Sequence, residues 1–305
     1  MRIAVMGAGA IGGYLGARLS AAGEDVTLVA RGAHLEAIRR DGIRIESPHG
    51  NLHVAKIAVT DDPATIGPVD VVLFTVKLWD TEAAARALAP LMGAQTRVIS
   101  LQNGIDSVDL IAGSVPREPI AAGVIYLSAG IARPGVIGSP GGVRRLVVDA
   151  QHGNPVVAAF VAAVGGVGVD ARTTDAIDTV IWEKFVRLTA HSATTSLMRT
   201  TLGPIMANLE TVAFLVQLVE EAVAVAAACG VDLGPDCVAG TLALQRAMPP
   251  NARSSMSQDL EAGRRLELPW LSGRVHALGI EHGIPTPGQT AAYRGLILYA
   301  DGKPG

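Results

Sequence analysis

The chain is poor in cysteine, in aromatic residues and in concentrated charge, and each shortage excludes a class of protein. Two cysteines in 305 residues, Cys229 and Cys237, cannot build a disulfide framework, and no CxxC pair is present. Both read as small packing residues in a reduced, cytoplasmic setting. Twenty-five basic against 28 acidic residues leave a formal charge of −3 without a charged block, so no nucleic-acid surface is expected. Aromatics supply only 4% of a chain that is 49% hydrophobic; alanine and valine make up the difference, so the interior is built from small side chains. The richest apolar stretch, 212–231, is broken by Gln217, Glu220 and Glu221. It reads as a buried helix, since a span needs about 20 mainly apolar residues, and no membrane association is expected. The apolar residues near the N-terminus are used in a strand with no basic stretch before it, so no signal peptide is expected. HExxH, GxSxG and GxxxxGK[ST] motifs and His/Cys clusters are missing, so no metal site is expected.

What the chain does have begins at once. A β run at 2–6 leads into Gly7-Ala8-Gly9-Ala10-Ile11-Gly12, and an amphipathic helix follows at 14–22. In that setting Gly7 permits a tight turn, Gly9 lets the backbone approach a pyrophosphate, and Gly12 lets the helix pack against the strand. The helix N-terminus offers N–H groups and a positive dipole end to phosphates. The spacing therefore predicts a dinucleotide site. The second strand, at 25–30, ends in Ala30-Arg31-Gly32. A carboxylate there would hold a ribose hydroxyl; Ala30 has none, whereas Arg31 carries a fork of donors suited to a 2′-phosphate, so NADPH is the expected cofactor.

The first half alternates strands and helices: strands at 69–76, 97–101, 120–126 and 145–148, and a helix at 80–91. The continuous apolar run at 69–76 suits a parallel strand covered on both faces. From about residue 173 long helical periods take over, at 174–199, 205–229, 234–248 and 254–265, then from Pro269 to Gly283 and from Pro285 to about 299. The expected fold is α/β: a Rossmann-type, doubly wound dinucleotide domain over 1–172 and an all-helical domain over 173–305.

Three segments carry polar groups that a plain core does not need. Lys77 follows the buried strand at 69–76, at the sheet edge where open α/β sheets bind ligands, and can meet an anion. Asn103, in Gln102-Asn103-Gly104, ends the next strand and can hold a substrate carbonyl or the nicotinamide ribose. On the first long helix Lys184, Leu188, His191 and Ser192 share one face. A lysine on a partly buried face is uncommon without a partner, and Glu267, beside the break at Pro269, is a candidate for that partner.

Taken in order and spacing, GAGAIGG, Ala30-Arg31, Val76-Lys77, Leu101-Gln102-Asn103-Gly104, Trp182-Glu183-Lys184, Ser254-Ser255-Met256 with Gln258-Asp259, and Leu266-Glu267 are similar to the ketopantoate reductase (2-dehydropantoate 2-reductase) family over nearly the whole chain. The resemblance implies NADPH-dependent reduction of a 2-keto acid in pantothenate synthesis. It implies that Lys184 protonates the carbonyl oxygen and that Glu267 supports that lysine and the substrate hydroxyl. Asn103 and Ser255 would bind substrate, Lys77 would lie beside cofactor and substrate, and Arg31 would select the 2′-phosphate. The chain departs from the family at Leu188, Ser192, Ala252 and Ser272, where the family often has asparagine. Ser192 and His191 are then the polar groups left near the lysine to meet substrate. The departures keep open a relative acting on a more apolar 2-keto or 2-hydroxy acid, and, in another class, a dinucleotide sensor without turnover. The small-residue helix at 212–228 suits packing within its domain or across a homodimer.

Overall fold

Strand β1 (Arg2–Met6) lies between two parallel partners, and its successive side chains enter two different cores. Ile3 and Val5 pack on one face of the sheet, Ala4 and Met6 on the other. That two-sided burial is why the strand reads as an unbroken apolar run. The structure, a computed structural model, describes residues 1–304. Its first unit is Met1–Ile177, and a second begins at Asp178.

After β1 come α1 (Ala10–Ala21), β2 (Asp25–Val29), α2 (Gly32–Asp41), β3 (Ile43–Glu46), β4 (Leu52–Val54) and β5 (Ala58–Thr60). Then follow β6 (Val71–Phe74), α3 (Thr81–Arg86), β7 (Arg97–Ser100), α4 (Ser107–Ala112) and β8 (Ile120–Tyr126). The unit closes with β9 (Gly130–Arg133), β10 (Val136–Gly138), β11 (Arg145–Asp149), α5 (Pro155–Gly166) and β12 (Asp170–Thr174). The main sheet has the order β12-β11-β8-β7-β6-β1-β2-β5, parallel from β5 to β8, with β11 antiparallel to β8. Chain order reverses between β2 and β6 on either side of β1, and that switch point is where such sheets leave a crevice at their carboxyl ends. A smaller sheet, β4-β3-β10-β9, lies apart from it.

The sequence reading anticipated the main parallel strands but assigned no element between Arg31 and residue 69, where the structure has α2 and three short strands. It also placed the domain boundary at 172. That position falls inside β12, whose residues pair with β11 from Arg145↔Asp170 to Asp149↔Thr174. Strand β12 is mostly exposed and polar, DARTT, so it carries no apolar run to mark it.

The second unit is helical: α6 (Ile177–Leu197), α7 (Leu202–Ala207), α8 (Leu209–Ala228), α9 (Cys237–Ala247), α10 (Ser255–Glu261), α11 (Ser272–His282) and α12 (Pro287–Leu296). The helix expected over 205–229 is two helices. Asn208 is extended, and its side chain accepts from the N–H groups of Glu210 and Thr211, starting α8 afresh. By length and composition α8 is apolar enough to cross a membrane. Here its inner face, including Leu215, Leu218, Ala222 and Val225, is buried, and α11 and α12 pack against the helix.

That face also buries a carboxylate. Glu221 accepts from the N–H groups of Gly288 and Gln289 and from Gln217 Nε2, each at 2.8 Å. The first turn of α12 has no cap from its own Thr286 side chain, so α8 supplies the anion at its positive end. Replacing Glu221 by Ala leaves those N–H groups buried without partners. The expected loss is roughly 1.5–3 kcal/mol, the scale of hydrogen bonds to a charged group. Urea unfolding followed by circular dichroism checks it; a midpoint equal to that of the wild type refutes the cap.

Candidate active site

The turn from β1 into α1 is built around contacts that allow no side chain. Gly7 has φ +94°, and a Cβ on it would lie 2.9 Å from the backbone nitrogen of Val76. A Cβ on Gly12 would lie 2.4 Å from the Gly7 carbonyl oxygen and 2.7 Å from Val5 Cγ1. Gly9 is the opposite case: a Cβ there would meet nothing within 4 Å. Two of the glycines are thus demanded by packing, and the third borders open space at the N-terminus of α1, whose N-cap it is. The helix begins at Ala10, earlier than residue 14, so Ala10, Ile11 and Gly12 form its first turn and no capping side chain covers their N–H groups. Thr75 Oγ1 donates to the Gly7 carbonyl at 2.8 Å, tying the turn to the chain leaving β6. These features fit a pyrophosphate at Gly7–Gly12.

The other expected residues of this unit are carried by neighbouring strand ends. Arg31 follows β2 and Ala30 as the extended N-cap of α2, largely exposed. Its Nη1 is 4.0 Å from Asp80 Oδ1. Lys77 follows β6, exposed, with Nζ 5.5 Å from the centroid of the Trp79 ring. Asn103 follows β7 and is half-buried. Because β1 pairs with β6 and β6 with β7, the Gly7 turn, Lys77 and Asn103 gather along one sheet edge. Gln102 braces that edge: its Nε2 donates to the Val76 carbonyl at 3.0 Å and to Thr81 Oγ1 at 2.7 Å.

In the second unit Lys184 lies on α6, partly buried. Burial is the largest influence on its ammonium and lowers the pKa from 10.5 to about 8. Arg187, one turn on, lowers it further by repulsion, while Glu267 raises it. Glu267 is itself buried, in the turn before a short 3₁₀ segment, Leu268–Trp270. The second unit therefore brings the expected lysine and glutamate into one electrostatic site and adds Arg187, which the sequence reading missed. Its signal was the i, i+3 spacing from Lys184.

Leu188 is half-buried, and Ser192 is fully buried with no hydrogen-bond partner for Oγ. His191 is buried too. Desolvation lowers its pKa, partly offset by the Gln245 side chain and the Arg253 backbone, and Nδ1 has no hydrogen-bond partner. Ser255 stands exposed at the start of α10. The serine that joins α10 to α6 is its neighbour Ser254, the buried N-cap. Ser254 Oγ accepts from the Ser257 N–H at 3.0 Å and lies 2.9 Å from Thr195 Oγ1, which donates to the His191 carbonyl at 2.7 Å.

Two family profiles match the chain: ketopantoate reductase PanE/ApbA over residues 3–147, and its C-terminal counterpart over 176–299. A 2-dehydropantoate 2-reductase of Halobacterium salinarum is 31% identical over 294 residues, spanning 94% of this chain and 95% of that protein. The crystal structure of a PanE/ApbA family ketopantoate reductase from Ralstonia eutropha JMP134 superposes with a TM-score of 0.90 at 32% identity, covering 98% of each chain. D-mandelate dehydrogenase, solved with NADH and anilino(oxo)acetate, reaches the same TM-score at 22% identity and so shares the fold. Glycine turn, lysine and glutamate all stand within the matched spans, and the chain belongs to the ketopantoate reductase PanE/ApbA family.

Proposed function

We propose that this chain is a cytoplasmic enzyme that reduces a 2-keto acid to the 2-hydroxy acid with NADPH. The first substrate to test is 2-dehydropantoate, which would place it in pantothenate synthesis. The observation that carries the reading is Lys184, an ammonium with a pKa of about 8 beside the buried carboxylate of Glu267. A bound reduced nicotinamide supplies a hydride to the carbonyl carbon. What the protein must add is a proton at the carbonyl oxygen. With its pKa near 8, Lys184 is mostly charged at neutral pH and yields its proton more readily than an ordinary lysine. Burial supplies most of that acidity; Arg187 adds to it and Glu267 opposes it. Glu267 also offers an acceptor for the substrate hydroxyl. Asn103, Ser255, Ser192 and His191 are assigned to the substrate, and Lys77 to the place beside cofactor and substrate. The first unit is assigned the cofactor, at Gly7–Gly12 and Arg31; the second is assigned the proton donor. A dinucleotide sensor would need neither Lys184 nor Glu267, which disfavours that reading.

A second reading rests on Leu188. It stands one turn beyond Lys184, half-buried, where the family often has an amide. An apolar side chain there favours a more apolar 2-keto acid, because a site that has lost an amide holds a small polar acid less well.

The lysine reading has a pH signature. As the ammonium loses its proton near pH 8, kcat/KM for reduction is expected to be level below that pH and to fall about tenfold per unit above it. Oxidation of the hydroxy acid, which needs the neutral amine, shows the opposite slope. Arg187→Ala removes a repulsion and moves the falling limb to higher pH. Lys184→Ala is expected to lower kcat by roughly 10²–10⁴ with NADPH binding retained, and Lys184→Arg not to restore it, because a guanidinium gives up its proton poorly. Full activity in the arginine variant refutes the acid role.

The cofactor preference tests separately. Arg31→Ala is expected to weaken NADPH binding by roughly 1.5–3 kcal/mol and to leave NADH nearly unchanged. Equal losses for both dinucleotides show that Arg31 does not read the phosphate.

Substrate choice is read from a panel of 2-keto acids with NADPH oxidation as the signal. If 2-dehydropantoate is not preferred, Leu188→Asn with Ser192→Asn is expected to raise kcat/KM for it relative to an unbranched apolar acid by about ten- to a hundred-fold, as for one or two recovered hydrogen bonds. A wild-type protein that already prefers 2-dehydropantoate shows that these positions do not set specificity.

A further inference from the structure

One imidazole in the first unit ties the glycine turn to the smaller sheet. His34, half-buried on α2, lies one turn beyond Arg31. Its Nδ1 receives the N–H of Gly135 at 3.0 Å, and its Nε2 is 2.9 Å from the carbonyl oxygen of Ala8. A ring nitrogen that accepts carries no proton. The neutral ring therefore bears its proton on Nε2, which donates to Ala8. Burial supports that neutral state by lowering the pKa of His34.

Both ends of this bridge are held by further backbone hydrogen bonds. Gly135 forms the turn between β9 and β10 at φ +78°, and its carbonyl accepts from Arg44 N at the start of β3. Ala8 is held from the other direction as well, since its N–H donates to the Val29 carbonyl at 2.8 Å. Both backbone groups of Ala8 are thus committed to protein partners. In a trans peptide the carbonyl and the following N–H point in opposite directions. Holding the Ala8 carbonyl toward His34 therefore turns the Gly9 N–H away from it, at the one glycine of the turn whose surroundings are open.

We propose that His34 is a positioning residue for the dinucleotide: its Nε2 bond to Ala8 sets the Ala8–Gly9 peptide plane and so aims the Gly9 N–H at the pyrophosphate. The residue touches the turn and not the ligand. The inference rests on the dinucleotide reading of the first unit and adds a residue to it that no glycine motif contains.

Side-chain amides separate the two bonds of the imidazole. The amide nitrogen of Gln takes the place of Nε2 and can still donate to Ala8; the amide oxygen of Asn takes the place of Nδ1 and can still accept from Gly135. NADPH is titrated into wild-type protein and into His34→Ala, His34→Gln and His34→Asn, with nicotinamide fluorescence reporting Kd. Binding is expected to weaken about tenfold in the Ala and Asn variants, as for one lost hydrogen bond, and to stay near wild type in Gln. At saturating NADPH, kcat is expected to be unchanged throughout. Wild-type binding with Gln and Asn indistinguishable overturns the role of His34 while leaving the dinucleotide site standing. A wild-type protein that binds no dinucleotide overturns both. The Gln and Asn comparison decides the matter even if the Ala variant fails to fold.

Discussion

The close approach of α1 to the ends of β1 and β6 is the constraint on which the first unit depends. At Gly12 the helix backbone comes so near to the Gly7 carbonyl and Val5 that a single added methyl has no room. The same closeness brings the first turn of α1 over the carboxyl edge of the sheet. The helix N–H groups and the peptide of Gly9 are thereby presented on the side where the strand order reverses. The surrounding bonds hold that geometry. Thr75 ties the turn to the chain leaving β6, Ala8 N–H ties it to β2, and His34 ties it to α2 and the β9–β10 turn. A turn made of small residues has few side-chain contacts of its own, so close backbone packing and hydrogen bonds from neighbours hold its conformation.

The second unit solves a different problem. Its α6 is buried along most of its length yet carries many hydroxyl groups, and it holds a lysine among them. Moving an ammonium out of water disfavours its charged form, and Arg187 adds repulsion. These two make the ammonium a better acid, and Glu267 offsets part of their effect, so that the pKa is about 8 and the lysine keeps most of its charge near neutral pH. Elsewhere in the unit the buried charge is handled by full satisfaction. Glu221 caps α12 with a set of backbone and side-chain donors, and its burial is supported by those bonds. One carboxylate thus tunes a proton and the other holds two helices together. The two are told apart only by what surrounds them.

Much of this was legible in the chain. The run Val71–Phe74 announces a covered parallel strand because every one of its side chains is apolar, and the glycine spacing after β1 announces a tight strand-to-helix turn, with Gly7 and Gly12 demanded by packing. Lys184 stood out because a lysine on a partly buried face is costly. Where the sequence reading fell short, local signals were weak or were overridden. Strand β12 is polar and exposed, so it has no alternation to read, and the 172 boundary cut through it. Helix α8 starts afresh at Asn208, where a side-chain cap interrupts what reads as one helical period. The short strands β3, β4 and β5 have only three or four residues each, too few to show a period.

The sequence by itself determined the class of the fold, the glycine turn between β1 and α1 and the lack of a carboxylate after β2, and it singled out Lys184 on its partly buried face. Each of these follows from residue type and spacing within a few turns of chain. Tertiary structure alone decided which groups act on them. Burial, and Glu267 far along the chain, act on the acidity of Lys184 through space. Ser254, not Ser255, makes the contact with α6. His34 reaches Gly135, 101 residues away, to hold the Ala8 carbonyl. Hydrogen bonds and charge interactions depend on distance in space, and at such separations the chain sequence carries no record of it.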